Sequence, residues 1–413
     1  MIEYRKAQKI LLNSKIKIQN EIIFAKNSLN RISAKNIFSP TNYPAGNNTA
    51  FDGYVVNSKE TVSLSNKNKK KFKILKTIAA GDNPKIKNVK KYSSVEIMTG
   101  ALIPKHFDTV IPVEKINYYP NKKNPKFIII EKKITKNNHV RFAGSDYKKG
   151  EKIVLAGEII NSSHILAFKS LGVERIVVKK KPVVVFYSTG NEISEKTNIP
   201  DWKVRNSNSH YIKSLSKNLF FDFIDGGILR DKDDKLFKKL INKNFKSKYD
   251  IVITNGAVSA GKFDFVPRII KDFNLSNHFK GVAIRPGKPI MFAKFKNKNQ
   301  SFFGLPGNPI SSAACFKFFV YPYLRSILNM KKEKSFQAKL KNNYTKKKDF
   351  TRFLKCKVLI NKKGTLEAEV LKGQESFRIK SFTKANTWAL FKNGKSTFKK
   401  GEIIECFNPL GGQ

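Results

Sequence analysis

Between Lys181 and Leu328 the chain alternates apolar β-type runs with segments of helical periodicity, and that alternation leaves few folds open. The run PVVVFYS (Pro182–Ser188) reads as a buried strand. A helix around His210–Asn218, a strand near Phe221–Ile224 and a helix with Leu236, Phe237, Leu240 and Ile241 on one face follow it. Next come DIVIT (Asp250–Thr254), a helix near Phe265–Phe273, strand runs VAI (Val282–Ile284) and PIMFAKF, and SFFGL (Ser301–Leu305) leading into a helix from Ile310. Strands that alternate with helices predict a mostly parallel sheet joined by right-handed crossovers.

The flanks have a different texture. From Met1 to about Tyr43 an amphipathic helix and an extended segment are expected, with Ile10, Leu11, Ile16, Ile18, Ile22, Ile23 and Leu29 as one apolar stripe. Short β-rich runs (Phe72–Ile78, Val95–Met98, Thr109–Val113, Phe127–Glu131) broken by Lys/Asn loops predict a small β domain. The tail, with alternating runs such as FLKCKVLI and GEIIECF, suits a small barrel. The expected fold is therefore multidomain, α/β and β. An elongated N-terminal and linker domain (1–43 and 141–180) carries an inserted β-rich domain (44–140), followed by the α/β domain (181–330) and a C-terminal β-barrel (331–413).

In an open α/β sheet, ligands bind beyond the carboxyl ends of the strands. Three glycine-bearing loops fall there: Ser188–Glu192 (STGNE), Thr254–Gly261 (TNGAVSAG) and Gly304–Asn308 (GLPGN). Glycine lets backbone N–H groups approach phosphate, and a following helix N-terminus adds roughly 0.3–1 kcal/mol per contact. One such loop is no more than a tight turn; three in one sheet point to phosphate binding. The first offers Ser188, Thr189 and Gly190, the second Gly256, Ser259 and Gly261, the third Pro306, Gly307 and Asn308. The second loop nearly spells a P-loop, but Phe263 stands where a magnesium-binding hydroxyl is required, so that motif is rejected.

The chain carries 81 Lys and Arg against 31 Asp and Glu, a formal charge of +50, which makes acid positions informative. The acids singled out are Asp52 in FDGY, Asp146 in GSDY, Glu192, Asp231 and Asp234 in RDKDD, Asp250, and Asp264 after the second loop. Glu192 and Asp264 lie beside strand-end loops, where a magnesium ion needs one or two carboxylates plus phosphate oxygens. A turn or cap role accounts equally well for any one acid taken alone. Among cations, Arg285 and Lys288 in IRPGKP are placed to clamp a diphosphate or an oxyanion.

The lysines are spread with Asn, Ile and Phe through many loops, which reads as drift in residue usage more than as a nucleic-acid-binding face. Three scattered cysteines and five scattered histidines form neither a disulfide framework nor a zinc site, and a cytoplasmic protein is expected. No apolar run approaches the roughly 20 residues of a membrane span, and no signal peptide is read at the N-terminus.

Eight segments in order (NNTAFDGYVV, IMTGALIPKHFDTVIPVE, RFAGSDYKKGE, STGNEI, DIVITNGAVSAGKFDF, VAIRPGKPIMF, GLPGNPISS and GQESFRIKSFTKAN) resemble the molybdopterin molybdenumtransferase family, the bacterial MoeA proteins and gephyrin-type E domains. Each is weakly specific; eight in order are highly specific. The resemblance implies an elongated homodimer, with the active site between the α/β domain of one subunit and the region of Asp52 and Thr99 of the other. It implies adenylylated molybdopterin as substrate, molybdate as co-substrate and Mg²⁺. The family's functional residues fall on Asp52, Thr99, Asp146, Glu192, Asp231, Asp264, Arg285 and Ser376. Of these, Asp52, Glu192, Asp231 and Asp264 are expected to be catalytic, with Glu192 and Asp264 also holding the metal. Thr99, Asp146, Arg285 and Ser376 are expected to bind substrate, together with Lys288 and the loop residues named above.

The chain departs from the family pattern at Asn47, which lacks a usual carboxylate, at Gly281, which replaces a lysine, and at Ala257, which replaces the second glycine of the middle loop. Three rival readings are a molybdopterin adenylyltransferase of related α/β fold, a gephyrin-like scaffold, and a nucleic-acid binder. The first is normally a single domain, the second does not need the intact acids, and the third lacks any recognition motif.

Overall fold

The computed structural model describes residues 1–246, 249–256 and 266–410. Its centre is a six-stranded sheet in the order Asp222–Leu229, Val183–Thr189, Ile251–Asn255, Ser301–Leu305, Met291–Phe295, Leu275–Lys280. The first four strands are parallel, and the last two join antiparallel. Val183–Thr189 and Ile251–Asn255 are apolar because both faces are covered. Phe186, Ile253 and Phe303 face a core shared with Ile212 and Phe316, while Val185, Val252 and Phe302 face one shared with Phe237 and Ile270. The mostly parallel sheet expected from the alternation is the one observed.

One strand differs from expectation. VAI is no part of this sheet: Gly281 turns the chain, and Ile284–Arg285 pairs instead with Thr351–Ile360 of the C-terminal region. Val282 and Ile284 are fully buried between the two layers, which explains their apolarity without sheet membership. The sheet's edge is Leu275–Lys280, where Ser276, His278 and Lys280 are exposed and a register shift after Leu275 puts Leu275 and Phe279 into different cores, so no clean alternation marks it.

The apolar stripe expected over the first 43 residues is divided. Helix Tyr4–Asn13 buries Tyr4, Ala7 and Leu11 against the central core, beside Phe319 and Phe353. The helix stops there, and Ile22 and Ile23 lie on the strand Asn20–Phe24, paired antiparallel with Arg175–Lys179. Ile22 and Leu29 are exposed. Around this ribbon, Ile37–Phe38 pairs with Lys152–Val154, and helix Ser162–Leu171, capped by Asn161, closes a small separate core.

Between the outgoing and returning chains sits a second six-stranded sheet, Thr109–Pro112, Gly53–Val56, Ser93–Ile97, Lys70–Ile78, Phe127–Ile130, Asn117–Tyr119. The C-terminal strands Thr351–Ile360, Leu366–Val370, Phe336–Leu340, Ile403–Phe407 and Thr387–Phe391 close on themselves through Thr351–Ile360 and Thr387–Phe391, forming a five-stranded barrel. No helix of the described residues is long and apolar enough to cross a membrane.

Gly53 shows how tightly the second sheet is drawn. A Cβ there would sit 2.1 Å from the Ile111 carbonyl oxygen and 3.1 Å from Pro112 Cα, both backbone. Gly53→Ala is expected to destabilise this sheet by about 1–3 kcal/mol through overpacking, read as a lowered thermal midpoint; an unchanged midpoint would show that the strands part freely.

Candidate active site

Three strand ends at the same edge of the central sheet build a cavity of about 540 Å³. Thr189, Gly190 and Glu192 come from the first loop, Asn255 and Gly256 from the second, and Pro306, Gly307 and Asn308 from the third. Asp231, which follows the neighbouring strand Asp222–Leu229, lines it too, as does Pro289 of the IRPGKP turn.

The loops are stitched together by asparagines. Asn255 donates from Nδ2 to the Pro306 carbonyl at 2.6 Å and to Ser312 Oγ at 3.2 Å. Asn208 donates to Asn255 Oδ1 at 2.8 Å and to the Gly307 carbonyl at 2.7 Å. Thr189 Oγ1 donates to the Asn255 carbonyl at 3.0 Å, tying the first loop to the second. All three residues are buried, so each bond is shielded from competing water. Gly256 completes the approach: its φ is +95°, and a Cβ would meet the Thr189 carbonyl oxygen at 2.6 Å.

Arg230 fixes the first loop from outside. Its Nη1 donates to the carbonyls of Gly190 at 3.0 Å, Asn191 at 3.2 Å and Ile193 at 2.8 Å. Asn191 in turn donates to Asp231 Oδ2 at 2.8 Å, which places that carboxylate at the cavity wall.

Two helices begin at the cavity. Asn206 stands at the N-cap of helix Ser207–Ser216, yet its side chain is engaged with Ser188 Oγ (2.7 Å) and with Glu195, so it makes no cap. Asn308 stands at the N-cap of Pro309–Cys315, which continues helically to Ile327, and its amide reaches Ser376 Oγ at 3.0 Å instead of capping. The first turn of Pro309–Cys315 is closed, since Pro309 has no N–H and the Ile310 N–H donates to the Ser376 carbonyl. Helix Ser207–Ser216, by contrast, has no side-chain cap, and the positive end of its dipole suits an anion.

The residues singled out from the sequence are distributed as follows. Thr189, Gly190, Glu192, Asp231, Gly256, Pro306, Gly307 and Asn308 meet at one cavity. Ser188 is buried beneath it, and Ser376 abuts its third loop from the barrel. Arg285 and Lys288 are exposed on the turn that ends at Pro289; the Arg285 guanidinium lies 4.7 Å from the centre of the Phe350 ring. Asp52, Thr99 and Asp146 do not line the cavity. Asp52 sits at the edge of the second sheet and accepts from Thr99 N at 2.7 Å and Oγ1 at 2.8 Å; these bonds, the backbone one first, hold its carboxyl below the usual range. Asp264, Ser259 and Gly261 lie outside the described residues.

Sequence reasoning missed Asn208, Asn255 and Arg230. It also missed Arg352, which pairs in register with Arg285 and whose Nε is buried without a partner. Asparagine is common in this chain, so no pattern marked the two that stitch the loops; Arg230 could have been noticed as a rare arginine abutting Asp231.

Magnesium asks for one or two carboxylates and keeps water or phosphate oxygens elsewhere. Glu192 and Asp231 at one cavity supply that donor set, and among the described residues no cluster of three or more His, Cys, Asp or Glu is arranged to hold a metal outright. A larger cleft of about 830 Å³ lies between the N-terminal helix, the helix around Lys317 and the barrel, and contains none of the residues singled out above.

Three family models match in chain order: "MoeA N-terminal region (domain I and II)" over residues 2–172, "Probable molybdopterin binding domain" over 186–326, and "MoeA C-terminal region (domain IV)" over 337–407. The chain is 29% identical over 409 residues to the molybdopterin molybdenumtransferase of Staphylococcus aureus strain COL, covering 98% of this chain and 94% of that protein. It is equally similar to the same-named protein of Staphylococcus epidermidis strain RP62A, with the same coverage. A crystal structure of the molybdopterin biosynthesis MoeA protein from Pyrococcus horikosii superposes with a TM-score of 0.85 at 26% identity, covering all of both chains.

If Arg230 holds the anion-binding loop, Arg230→Met should weaken binding of inorganic pyrophosphate roughly tenfold, the scale of a lost hydrogen bond to a charged group, measured by calorimetry. Equal affinity would remove Arg230 from the account.

Proposed function

The chain belongs to the molybdopterin molybdenumtransferase (MoeA) family and is a transferase of molybdenum cofactor biosynthesis; from that premise we propose that its three-loop cavity binds adenylylated molybdopterin through the phosphoanhydride and cleaves it in a Mg²⁺- and molybdate-dependent step. The observation that carries this reading is the convergence of three strand-end loops, uncapped helix amides and the carboxylates of Glu192 and Asp231 on a single cavity.

Gly190, Gly256 and Gly307 leave room for the phosphate oxygens beside the loop backbone, the N–H groups of Gly190 and Gly256 being engaged by the Leu229 and Leu305 carbonyls, and the N-terminus of helix Ser207–Ser216 faces the same charge. Glu192 and Asp231, with Asp264 as the further candidate of the middle loop, are the carboxylates that would hold Mg²⁺. That ion supplies neutralisation of the phosphate oxygens as the anhydride breaks. A water oxygen adds to the AMP phosphorus and gives its proton to solvent, or a molybdate oxygen adds and its Mo–O bond breaks; the anhydride P–O bond breaks in the same step, the pterin phosphate departs with the bonding pair, and AMP is left. Asn191, bonded to Asp231, orients the carboxylate, and Arg230 keeps the loop rigid, so that positioning and charge supply the acceleration.

Arg285, Lys288 and Arg352 are the cations proposed to hold molybdate as substrate; stacking on Phe350 fixes the plane of the Arg285 guanidinium. Asp52, Thr99 and Asp146 lie away from this cavity, and we assign them to the matching cavity of a second copy, in a homodimer.

Glu192→Ala and Asp264→Ala should each lower AMP release from adenylylated molybdopterin by roughly two orders of magnitude or more while circular dichroism remains that of the parent. AMP should appear only when Mg²⁺ and molybdate are both present. Full release by both variants, or release without either ion, would overturn this mechanism. Product formed from ATP and free molybdopterin would favour the adenylyltransferase.

A further inference from the structure

Lys355 is a lysine where the barrel has no apparent use for one. It lies on the strand Thr351–Ile360, is 1% exposed, and has no carboxylate bonded to it among the described residues. Its ammonium donates instead to three main-chain carbonyls of one loop: Gly373 at 2.8 Å, Arg378 at 3.1 Å and Glu375 at 3.4 Å. The backbone of Lys355 is tied to the same loop, since its N–H donates to Gln374 Oε1 at 3.0 Å and its carbonyl accepts from Gln374 Nε2 at 2.8 Å. Burying an ammonium is costly, and three convergent carbonyls are the compensation.

The loop so held carries Ser376, which docks on the cavity twice. Its Oγ accepts from Asn308 Nδ2 at 3.0 Å, and its carbonyl accepts from the N–H of Ile310 at 3.1 Å, in the first turn of the helix that follows the third cavity loop. The neighbouring side chains Phe377, Arg378 and Ile379 are mostly exposed and give the loop little packing of its own. A continuous path of bonds thus runs from Lys355 through Ser376 to Asn308 at the cavity wall.

We propose that Lys355 is a positioning residue of the active site, the internal stay that holds the 373–378 loop so that Ser376 fixes Asn308 and the head of the helix beginning at Pro309. The inference rests on the phosphate-binding reading of the cavity.

A pH dependence follows. Burial pushes the Lys355 ammonium down to about 8; Glu375 opposes that shift and Arg378 adds to it. Across the strand its partner is Trp388, which does not titrate. Between about 8 and the ordinary lysine value of about 10.4 the folded protein has released a proton that the unfolded chain retains, so Lys355 contributes stability that rises with pH. Over the same window the neutral amine has one donor fewer for the three carbonyls, and the loop loosens. Global stability and loop order therefore move in opposite directions, which a merely structural lysine would not produce.

The test compares the parent with Lys355→Met and Lys355→Arg, using inorganic pyrophosphate as the probe in calorimetry and hydrogen exchange of the 373–379 amides, corrected for intrinsic rates. At about pH 7 the Met variant should bind roughly tenfold more weakly than the parent, and that ratio should fall towards one by about pH 9.5 as the parent loses its ammonium. Lys355→Arg, which stays charged, should flatten the parent's own decline. Exchange at 373–379 should rise in the Met variant at neutral pH, while the strand Ile403–Phe407 stays protected. Parent-like binding and exchange in Lys355→Met would overturn the proposal, whether or not the Arg variant folds. If the parent binds no pyrophosphate but exchange at 373–379 depends on Lys355, the stay stands and the phosphate reading falls.

Discussion

Two asparagine amides and the Thr189 hydroxyl hold three strand ends at a common edge, and the rest of the site depends on that arrangement. Parallel strands deliver their carboxyl ends to one side of a sheet, but delivery alone leaves three separate turns. Asn255 bridges to Pro306 and Ser312, and Asn208 bridges Asn255 to Gly307, converting the turns into one surface. Because these groups are buried, each has to be satisfied, and the geometry that satisfies them is narrow. Gly256 is required by that narrowness, as its Cα lies too close to Thr189 for any side chain.

Charge enters at two levels. The chain's formal charge of +50 gives a background field that favours anions of every kind. Specificity must come from closer in, where helix amides not capped by Asn206 face two carboxylates, Glu192 and Asp231, across the same cavity. An anion alone would be repelled by those acids; an anion with a divalent cation would not. The pairing of a phosphate cradle with acids is what the proposed magnesium-associated anhydride requires and a simple oxyanion does not.

Much of this was legible in the sequence, and the parts that were not have physical reasons. Strands of the central sheet were readable because both faces are covered, so their apolar runs are continuous. The strand-end loops were readable because glycine and asparagine are needed where backbones approach. VAI was misassigned because burial between two layers produces the same apolar run as burial within a sheet. The edge strand Leu275–Lys280 was missed because Ser276, His278 and Lys280 are exposed and a register shift after Leu275 sends Leu275 and Phe279 into different cores, which erases the alternation. At the site, acids stood out by scarcity, whereas Asn208 and Asn255 were lost among many asparagines and Lys355 among many lysines. Long-range partners such as Ser376 with Asn308 carry no local signal, and only resemblance to a family brought Ser376 into view.

The most direct test of the central claim is a crystal structure of the protein grown with Mg²⁺ and AMP or pyrophosphate. Phosphate density bounded by Gly190, Gly256 and Gly307, with a metal ion at Glu192, is the expected result. Phosphate density in the larger cleft beside Lys317 and Glu333, with the three-loop cavity holding only water, would contradict it.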